Sequence, residues 1–304
     1  MMTGELTGSH EAVLAANLEL SARAASNYNE TEPHYLPENV ERVSRKLDHV
    51  IESSGGTSLL DLGCGTGFMI DIARSRVKRI HGVDASLEML DRVNLSGPAH
   101  VTVEVGDTAS ISVDPGSYDI VTAYSVLHHL FEPAPTLATA ARALRPGGTL
   151  YVDLEPNRHF WSAISALDSS KEFDPIVTRE IQMVIRHDGV VLETGVDAKV
   201  FDLAEWGKTR LGGIDEAEMQ VLLKGLGFEE AVFSYSWFVG QGMMINDPDR
   251  RRSEALGEAE VIASWLLRAL PISQSLFKYV GFTARKSDGA VSSGDRPQSE
   301  RTKV

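Results

Sequence analysis

A single cysteine in 304 residues excludes an internal disulfide framework and any zinc site built from several thiolates. No uninterrupted apolar run is long enough to span a bilayer and no signal peptide is visible at the start. The expected location is therefore cytoplasmic, without membrane insertion. Positive charge is also short, with 29 Lys and Arg against 43 Asp and Glu. The net charge of −14 repels a nucleic-acid backbone or an anionic membrane surface. Arg250-Arg251-Arg252 is a local exception, but Asp247, Asp249 and Glu254 surround it, so it reads as a solvated helix start. With 42% hydrophobic and 24% charged residues, the chain has the composition of a soluble globular protein, enough for one elaborated domain or one and a half.

What is present centres on Leu59-Leu60-Asp61-Leu62-Gly63-Cys64-Gly65-Thr66-Gly67-Phe68-Met69. An apolar run breaks into three glycines spaced by single residues and resumes with helical spacing, which predicts strand, tight turn and helix. Gly63 allows the turn, Gly65 lets the main chain approach a ligand and Gly67 permits close helix–strand packing. The dinucleotide fingerprint has its third glycine one residue later, where this chain has Phe68, and no Gly-Lys-Ser/Thr follows to make a phosphate loop. Cys64 sits inside the turn and reads as a small packed residue.

Helical stripes are expected over Glu11 to Ala25 and Glu38 to Ser53, the second stopped by Gly55-Gly56. After the turn, Arg79 to Asp84 is a second strand ending in a carboxylate 17 residues past Gly67, where a strand–helix–strand unit returns an acid to the same crevice to accept a ribose diol. The stretch after it, Asp84-Ala85-Ser86-Leu87-Glu88-Met89-Leu90, leads a helix over Leu87–Val93. Val101 to Val105 predicts a third strand, followed by Gly106-Asp107-Thr108, where Asp107 can accept from an exocyclic amine. Tyr118 to Tyr124 is the fourth strand, with Ser125 and Val126-Leu127-His128-His129-Leu130 in the loop after it. A helix Pro135–Leu144, a turn Arg145-Pro146-Gly147-Gly148 and a fifth strand Thr149–Leu154 lead to Glu155. Apolar strands alternating with helices predict an α/β fold with a parallel sheet covered on both faces and ligands at the carboxyl ends of its strands. Asp84, Asp107, Ser125 and Glu155 all stand there.

Five motifs in order carry a resemblance to the class I S-adenosylmethionine-dependent methyltransferases, in particular the small-molecule branch with the ubiquinone/menaquinone-biosynthesis enzymes. They are Leu-Asp-Leu-Gly-Cys-Gly-Thr-Gly (60–67), Val-Asp-x-Ser-x-x-Met-Leu (83–90), Gly-Asp (106–107), Tyr-Asp-Ile-Val (118–121) with Val-Leu-His-His-Leu (126–130), and Leu-Arg-Pro-Gly-Gly-x-Leu (144–150). The resemblance covers about Ser58 to Val152. It implies a Rossmann-like seven-stranded, mostly parallel sheet and S-adenosylmethionine as cofactor, with Asp61, Gly63 and Gly65 at its methionine end, Asp84 at the ribose and Asp107 and Thr108 at the adenine. Tyr28, Ala85, Met89 and Ser125 complete the expected cofactor set, and no metal is expected.

The late part departs from the compact family pattern. Residues 160–213 are inserted before an expected helix Ile214–Leu226, with a turn at His187-Asp188-Gly189 and apolar alternation through Val190-Val191-Leu192. A second insertion, 239–275, separates a sixth strand (Ala231–Tyr235) from a seventh (Phe277–Ala284) and carries the apolar helix Val261–Leu267. Both inserts are expected to form a lid over the acceptor, and Phe160, Trp161, Trp206, Phe238 and Trp265 lean towards an acceptor with a hydrophobic part. The expected division is an N-terminal helical cap (1–54), a cofactor-binding core (55–156), an insertion (157–213), completion of the core with the second insertion (214–286) and a disordered tail (287–304).

Methyl transfer to an acceptor that holds a proton needs a base. His128, His129 and Glu155 are the candidates at the rim of the crevice, with His159 and Tyr28 weaker because their loops are unplaced. The expected activity is methylation of oxygen, nitrogen or carbon on a small molecule, possible homodimerisation included. The alternative is a cofactor-binding chain of the same fold that cyclises or isomerises instead. A nucleic-acid methyltransferase fits poorly: neither Asn/Asp-Pro-Pro-Tyr/Phe after the fourth strand nor a Pro-Cys pair is present. An NAD-dependent oxidoreductase is disfavoured by the glycine spacing.

Overall fold

The computed structural model describes residues 8–168, 171–185 and 195–288, with side chains given for all but 183–185. The turn expected at 187–189, the alternation at 190–192 and nearly all of the tail expected at 287–304 lie outside the described residues.

Seven strands form one sheet in the order β3-β2-β1-β4-β5-β7-β6. They are β1 (Ser58–Leu62), β2 (Arg79–Asp84), β3 (His100–Val105), β4 (Tyr118–Tyr124), β5 (Leu144–Pro156), β6 (Val232–Phe238) and β7 (Phe277–Arg285). Strands β1 to β5 pair in parallel, and β7 runs antiparallel between β5 and β6. Alternation within β1 shows how the sheet is covered, since successive side chains point to opposite faces. Leu59 packs with Val43, Leu47 and Val50 of helix α3 (Pro37–Ser54) and Ile70 of α4 (Phe68–Ala73). Leu60 and Leu62 pack on the other face with Leu137 and Ala140 of the helix Pro133–Ala143 and Met219 and Leu223 of the helix Glu216–Gly225. The order reverses between β1 and β4, which opens a crevice at their carboxyl ends.

Three elements differ from expectation. The helix after Asp84 is a single turn, Leu87–Leu90, because Asn94 and Gly97 follow too soon for a second. β5 begins at Leu144, with residues 145–148 carried as a bulge between Tyr118↔Leu144 and Ile120↔Thr149. The apolar helix of the second insertion belongs to a longer one, Arg252–Arg268, and it covers the flank of the sheet instead of the crevice. Its buried residues are Ala255 and Ala259, the latter set against Phe238, Phe277 and Val280 with Leu256, Ile262 and Leu266 packed alongside, and Arg252 pairs with Glu38 of α3. Trp265 on this helix is 64% exposed.

Beneath the sheet, the buried Asp153 of β5 accepts from Arg42 Nη1 at 2.8 Å, Lys46 Nζ at 3.1 Å and Tyr151 Oη at 2.7 Å. Burial opposes its charge, but Lys46 and Arg42 outweigh that and hold the carboxyl below the usual carboxylate range. A depressed folded pKa contributes stability above the unfolded value that is lost as pH falls. Asp153→Asn is expected to lower unfolding free energy at pH 7 by about 3–5 kcal/mol, the cost of breaking a buried pair. Urea titrations at pH 7 and pH 2.5 check this, and the difference between the two proteins must shrink at the lower pH, which lies below the ordinary carboxyl value of 3.8.

Candidate functional site

The loop after β1 builds the floor of the crevice. Gly63 and Gly65 have φ of 73° and 51°, a conformation that side chains resist. A Cβ on Gly63 would lie 2.3 Å from Val126, whereas one on Gly65 would meet nothing within 4 Å. Gly65 therefore faces open space, as a main chain approached by a ligand must. The Gly65 N–H donates to Asp84 Oδ2 at 2.8 Å and the Ser86 N–H to Oδ1 at 2.9 Å. The acid at the end of β2 is thus tied to the glycine turn, and burial raises its pKa. Ala85 follows it in the same loop, and the buried Met89 closes the single turn beyond.

Asp61 is 1% exposed. Its Oδ1 accepts from Thr122 Oγ1 at 2.7 Å, while Oδ2 is buried without a hydrogen-bond partner. Burial first, and Asp84 next to it, push its pKa up to about 7. A buried carboxylate oxygen without a donor costs free energy until a donor arrives, and a cationic ligand in the crevice would supply one.

Asp107 stands beyond β3, with Oδ1 accepting the Ala109 N–H at 2.9 Å and Oδ2 placed 2.8 Å from His10 Nε2. The Thr108 hydroxyl is turned inward onto Thr136 Oγ1 at 2.9 Å, so only its main chain is left for a ligand. His10 opens helix α1 (His10–Ala24), and Asn17 on the same helix donates to the His129 carbonyl at 2.7 Å. Helix α1 thus crosses from the Asp107 end of the crevice to the histidines. The segment after it folds over the glycine turn, with Tyr35 Oη 2.6 Å from Thr66 Oγ1 and Thr66 Oγ1 donating to Asn29 at 2.6 Å. Tyr28 stacks edge-on to Tyr35 at 6.4 Å. Its phenol pKa is raised by burial and then by Glu32, Tyr35, Asp84 and Glu205.

The second half is organised by Glu155, which is fully buried. Its Oε1 accepts the Val126 and Leu127 N–H groups at 2.9 Å, and its Oε2 the His128 N–H at 3.0 Å and His128 Nδ1 at 2.8 Å. Glu155, expected as one of three candidate bases, is buried with both oxygens engaged by the loop and one ring. Ser125, whose N–H donates to the Asp153 carbonyl at 2.9 Å, starts that loop at φ 54°. His159 is exposed on the helix Arg158–Ser165.

Two short helices of the first insertion, Ala198–Ala204 and Trp206–Thr209, close over the histidines. A Cβ on Gly207 would fall 2.6 Å from His128 Cα, so only glycine admits this approach. Glu205 between the helices lies 3.9 Å from His128 Nε2 and 3.9 Å from His129 Nδ1. Lys208 Nζ sits 2.5 Å from Glu205 Oε2, an ion pair off the hydrogen-bond angle. Burial lowers the proton affinity of His128, but Glu155 and then Glu205 more than offset it, so its pKa is raised. His129, with Nδ1 2.8 Å from the Ala204 carbonyl, is lowered to about 4 by burial and by His128. His128, His129 and Glu205 are of the types that hold a transition metal, their candidate atoms lying within 4.8 Å of one another, but the Lys208 ammonium already stands at the carboxylate.

Sequence reading missed Glu205, Lys208, His10, Asn17 and Tyr35. Glu205 and Lys208 lie in an insert without motif or clear period. Of the five insert aromatics, Phe160 and Phe238 are core residues and Trp206 packs 5.3 Å from Phe131.

Residues 60–152 match the family described as a methyltransferase domain. The chain is 30% identical over 124 residues to the ubiquinone biosynthesis O-methyltransferase of Sodalis glossinidius, covering 38% of this chain and 50% of that one. It is 28% identical over 211 residues to a probable S-adenosylmethionine-dependent methyltransferase of Mycolicibacterium smegmatis, covering 67% of this chain and 78% of that one. It is 26% identical over 215 residues to the 27-O-demethylrifamycin SV methyltransferase of Amycolatopsis mediterranei, covering 64% and 76%. The chain spans half or less of the length of several other curated relatives that it matches, 41% and 43% in two cases.

Asp61→Asn gives a two-sided expectation. A carboxyl raised to about 7 from its ordinary 3.8 takes stability from the ligand-free fold as pH rises through that range. The amide is expected to stabilise the ligand-free protein at pH 8 by about 1–3 kcal/mol and to weaken S-adenosylhomocysteine binding at least tenfold. Thermal melts and calorimetric titration of the same two proteins read both signs.

Proposed function

We propose that this chain, in which residues 60–152 are a methyltransferase domain, transfers the methyl group of S-adenosylmethionine to a hydroxyl of a small molecule. The observation that carries the reading is the buried Glu155–His128 dyad, with Nδ1 held at 2.8 Å, in the same crevice as the glycine turn and the partnerless Asp61 oxygen. The residues fit the cofactor: Asp61 offers an acceptor to its ammonium, Asp84 to its ribose diol and Asp107 to its adenine amine, with Gly63, Gly65, Ala85, Met89, Thr108, Ser125 and Tyr28 around them. When bound, the cofactor supplies an electrophilic methyl on a cationic sulfur.

The remaining work falls to the protein. Glu155 accepts from Nδ1 and so leaves the lone pair of neutral His128 on Nε2, the tautomer that a base requires. That nitrogen takes the hydroxyl proton as the oxygen attacks. Glu205 stabilises the imidazolium that forms, and Lys208 keeps the pair of buried carboxylates from being uncompensated. His129 stays neutral beside it. Helix α1 and the insertion 157–213 exclude water in this reading, so that residues 1–54 act as the cap. O-methylation by the Sodalis and Amycolatopsis relatives supports oxygen as the acceptor atom. The net charge supports a small molecule over a nucleic acid.

No helix among the described residues is long and apolar enough to cross a membrane, and a cytoplasmic protein belongs to the same reading. So does a homodimer through the exposed Trp265 face. Light scattering that gives a monomer mass at 50 µM, on the order of intracellular working concentrations, would remove the dimer.

His128 must be neutral to act, and its pKa is raised from the ordinary 6.5. The kcat/KM is therefore expected to rise with pH through a limb above 6.5, and Glu205→Gln is expected to move that limb to lower pH. His128→Ala is expected to lower kcat by about 10²–10⁴ and leave S-adenosylhomocysteine affinity within twofold. Mass spectrometry of the product, +14 per turnover on an acceptor, reads the reaction itself. Full turnover in His128→Ala would remove the base, and cofactor binding without any methylated product would remove the reaction.

A further inference from the structure

A cavity of about 440 Å³ lies on the outer side of Lys208, between the helix Arg158–Ser165 and the segment after Glu205. Trp161, Ser162, Ser165, Asp202, Lys208 and Arg210 are on its wall. Its chemistry is dominated by donors. The Trp161 indole Nε1–H is buried and has no hydrogen-bond partner. Lys208 stands 5.3 Å over the Trp161 ring and 5.4 Å over that of Phe201, and its ammonium, paired in charge with Glu205, makes no hydrogen bond to it. Arg210 is exposed and makes no ion pair among the described residues. Ser162 and Ser165 add hydroxyls. Asp202, the acidic group on this wall, is engaged within the protein. Two cations on the wall, beside a tryptophan whose buried indole N–H is idle, run against the grain of a chain with net charge −14.

We propose that this cavity binds an oxyanion, a carboxylate or a phosphate group, borne by the methyl acceptor. An anion there takes a hydrogen bond from the Trp161 indole, a charge-assisted pair from the Arg210 fork and the free N–H groups of Lys208. The volume is that of a pocket for a small molecule's head. Lys208 links the cavity through Glu205 to His128, so a molecule anchored by its acidic group at Lys208 extends towards the base. The identity of that molecule as a methyl acceptor rests on the reading under Proposed function; binding of the anion does not.

Four indole N–H signals are available to nitrogen–proton correlation spectra, one for each tryptophan, and Trp161→Phe identifies that of Trp161 by its loss. Titration with sodium phosphate, and separately with sodium acetate, at constant ionic strength held with chloride is expected to shift the Trp161 signal along a saturating curve. Arg210→Gln is expected to weaken the binding at least tenfold, while S-adenosylhomocysteine affinity stays unchanged. Tighter saturation by phosphate assigns a phosphorylated acceptor, and tighter saturation by acetate assigns a carboxylic acid. A Trp161 signal that does not move, that moves without saturating, or that saturates identically in Arg210→Gln overturns the proposal. Anion binding by a protein that ignores S-adenosylhomocysteine keeps the cavity and removes the methyl-transfer reading instead.

Discussion

The site depends on one buried carboxylate. Glu155 leaves the end of β5 and accepts four N–H groups, three from the main chain of residues 126–128 and one from the ring of His128. Taking a charge out of water costs several kcal/mol on the order expected for buried ions, and only full coordination offsets it. The geometry fulfils that condition and so fixes the loop after β4 in one conformation. Everything on the acceptor side is then assembled on that loop: Asn17 of α1 donates to the His129 carbonyl, Gly207 presses on His128, and Glu205 faces both rings. The strained left-handed backbone at Ser125 and at Leu154 flanks the same clamp on its two strands.

The cofactor side follows a contrary rule. Asp84 has its donors, but Asp61 keeps one buried oxygen unpaired and a pKa near neutrality. An orphaned buried acceptor is a cost to the fold, and in the proposed reading the cofactor's ammonium relieves it. The two sides therefore differ: Glu155 has both oxygens fully bonded before any ligand arrives, whereas Asp61 is left short of one donor. Asp153 beneath the sheet shows that this chain does supply cations to a buried carboxylate where the role is structural.

The sequence makes local features legible and distant ones not. Gly63-Cys64-Gly65, the acid closing β2 and the β4 strand Tyr118–Tyr124 are readable because each is set by neighbours within a few positions. The seven-stranded sheet and its antiparallel β7 came through the resemblance, not through periodicity. Glu205 escaped because nothing around Ala204-Glu205-Trp206 marks it; it matters only where the chain folds back 75 residues to the histidines. The Arg252–Arg268 helix misled in the opposite sense. Large apolar residues at Val261, Trp265 and Leu267 suggested a buried or substrate-facing stripe, but these three are exposed, and the helix packs through Ala259 with Leu256, Ile262, Ala263 and Leu266. Glu155 was legible at a strand end, but not its burial, because a carboxylate's accessibility is decided by loops that sequence spacing does not locate.

Gly207 bears on how this molecule can be altered. The contact it makes leaves no clearance between the insertion and the main chain of His128, so the join behaves as a keyed fit and not as a hinge. An engineer exchanging residues 198–213 would be replacing part of the wall that packs against His128. Grafts that put any side chain at this position would push the imidazole out of line before the new pocket could be judged. The seams for modular redesign lie farther out, at the solvent side of Lys208 and Arg210, where the wall can be rewritten without touching the ring.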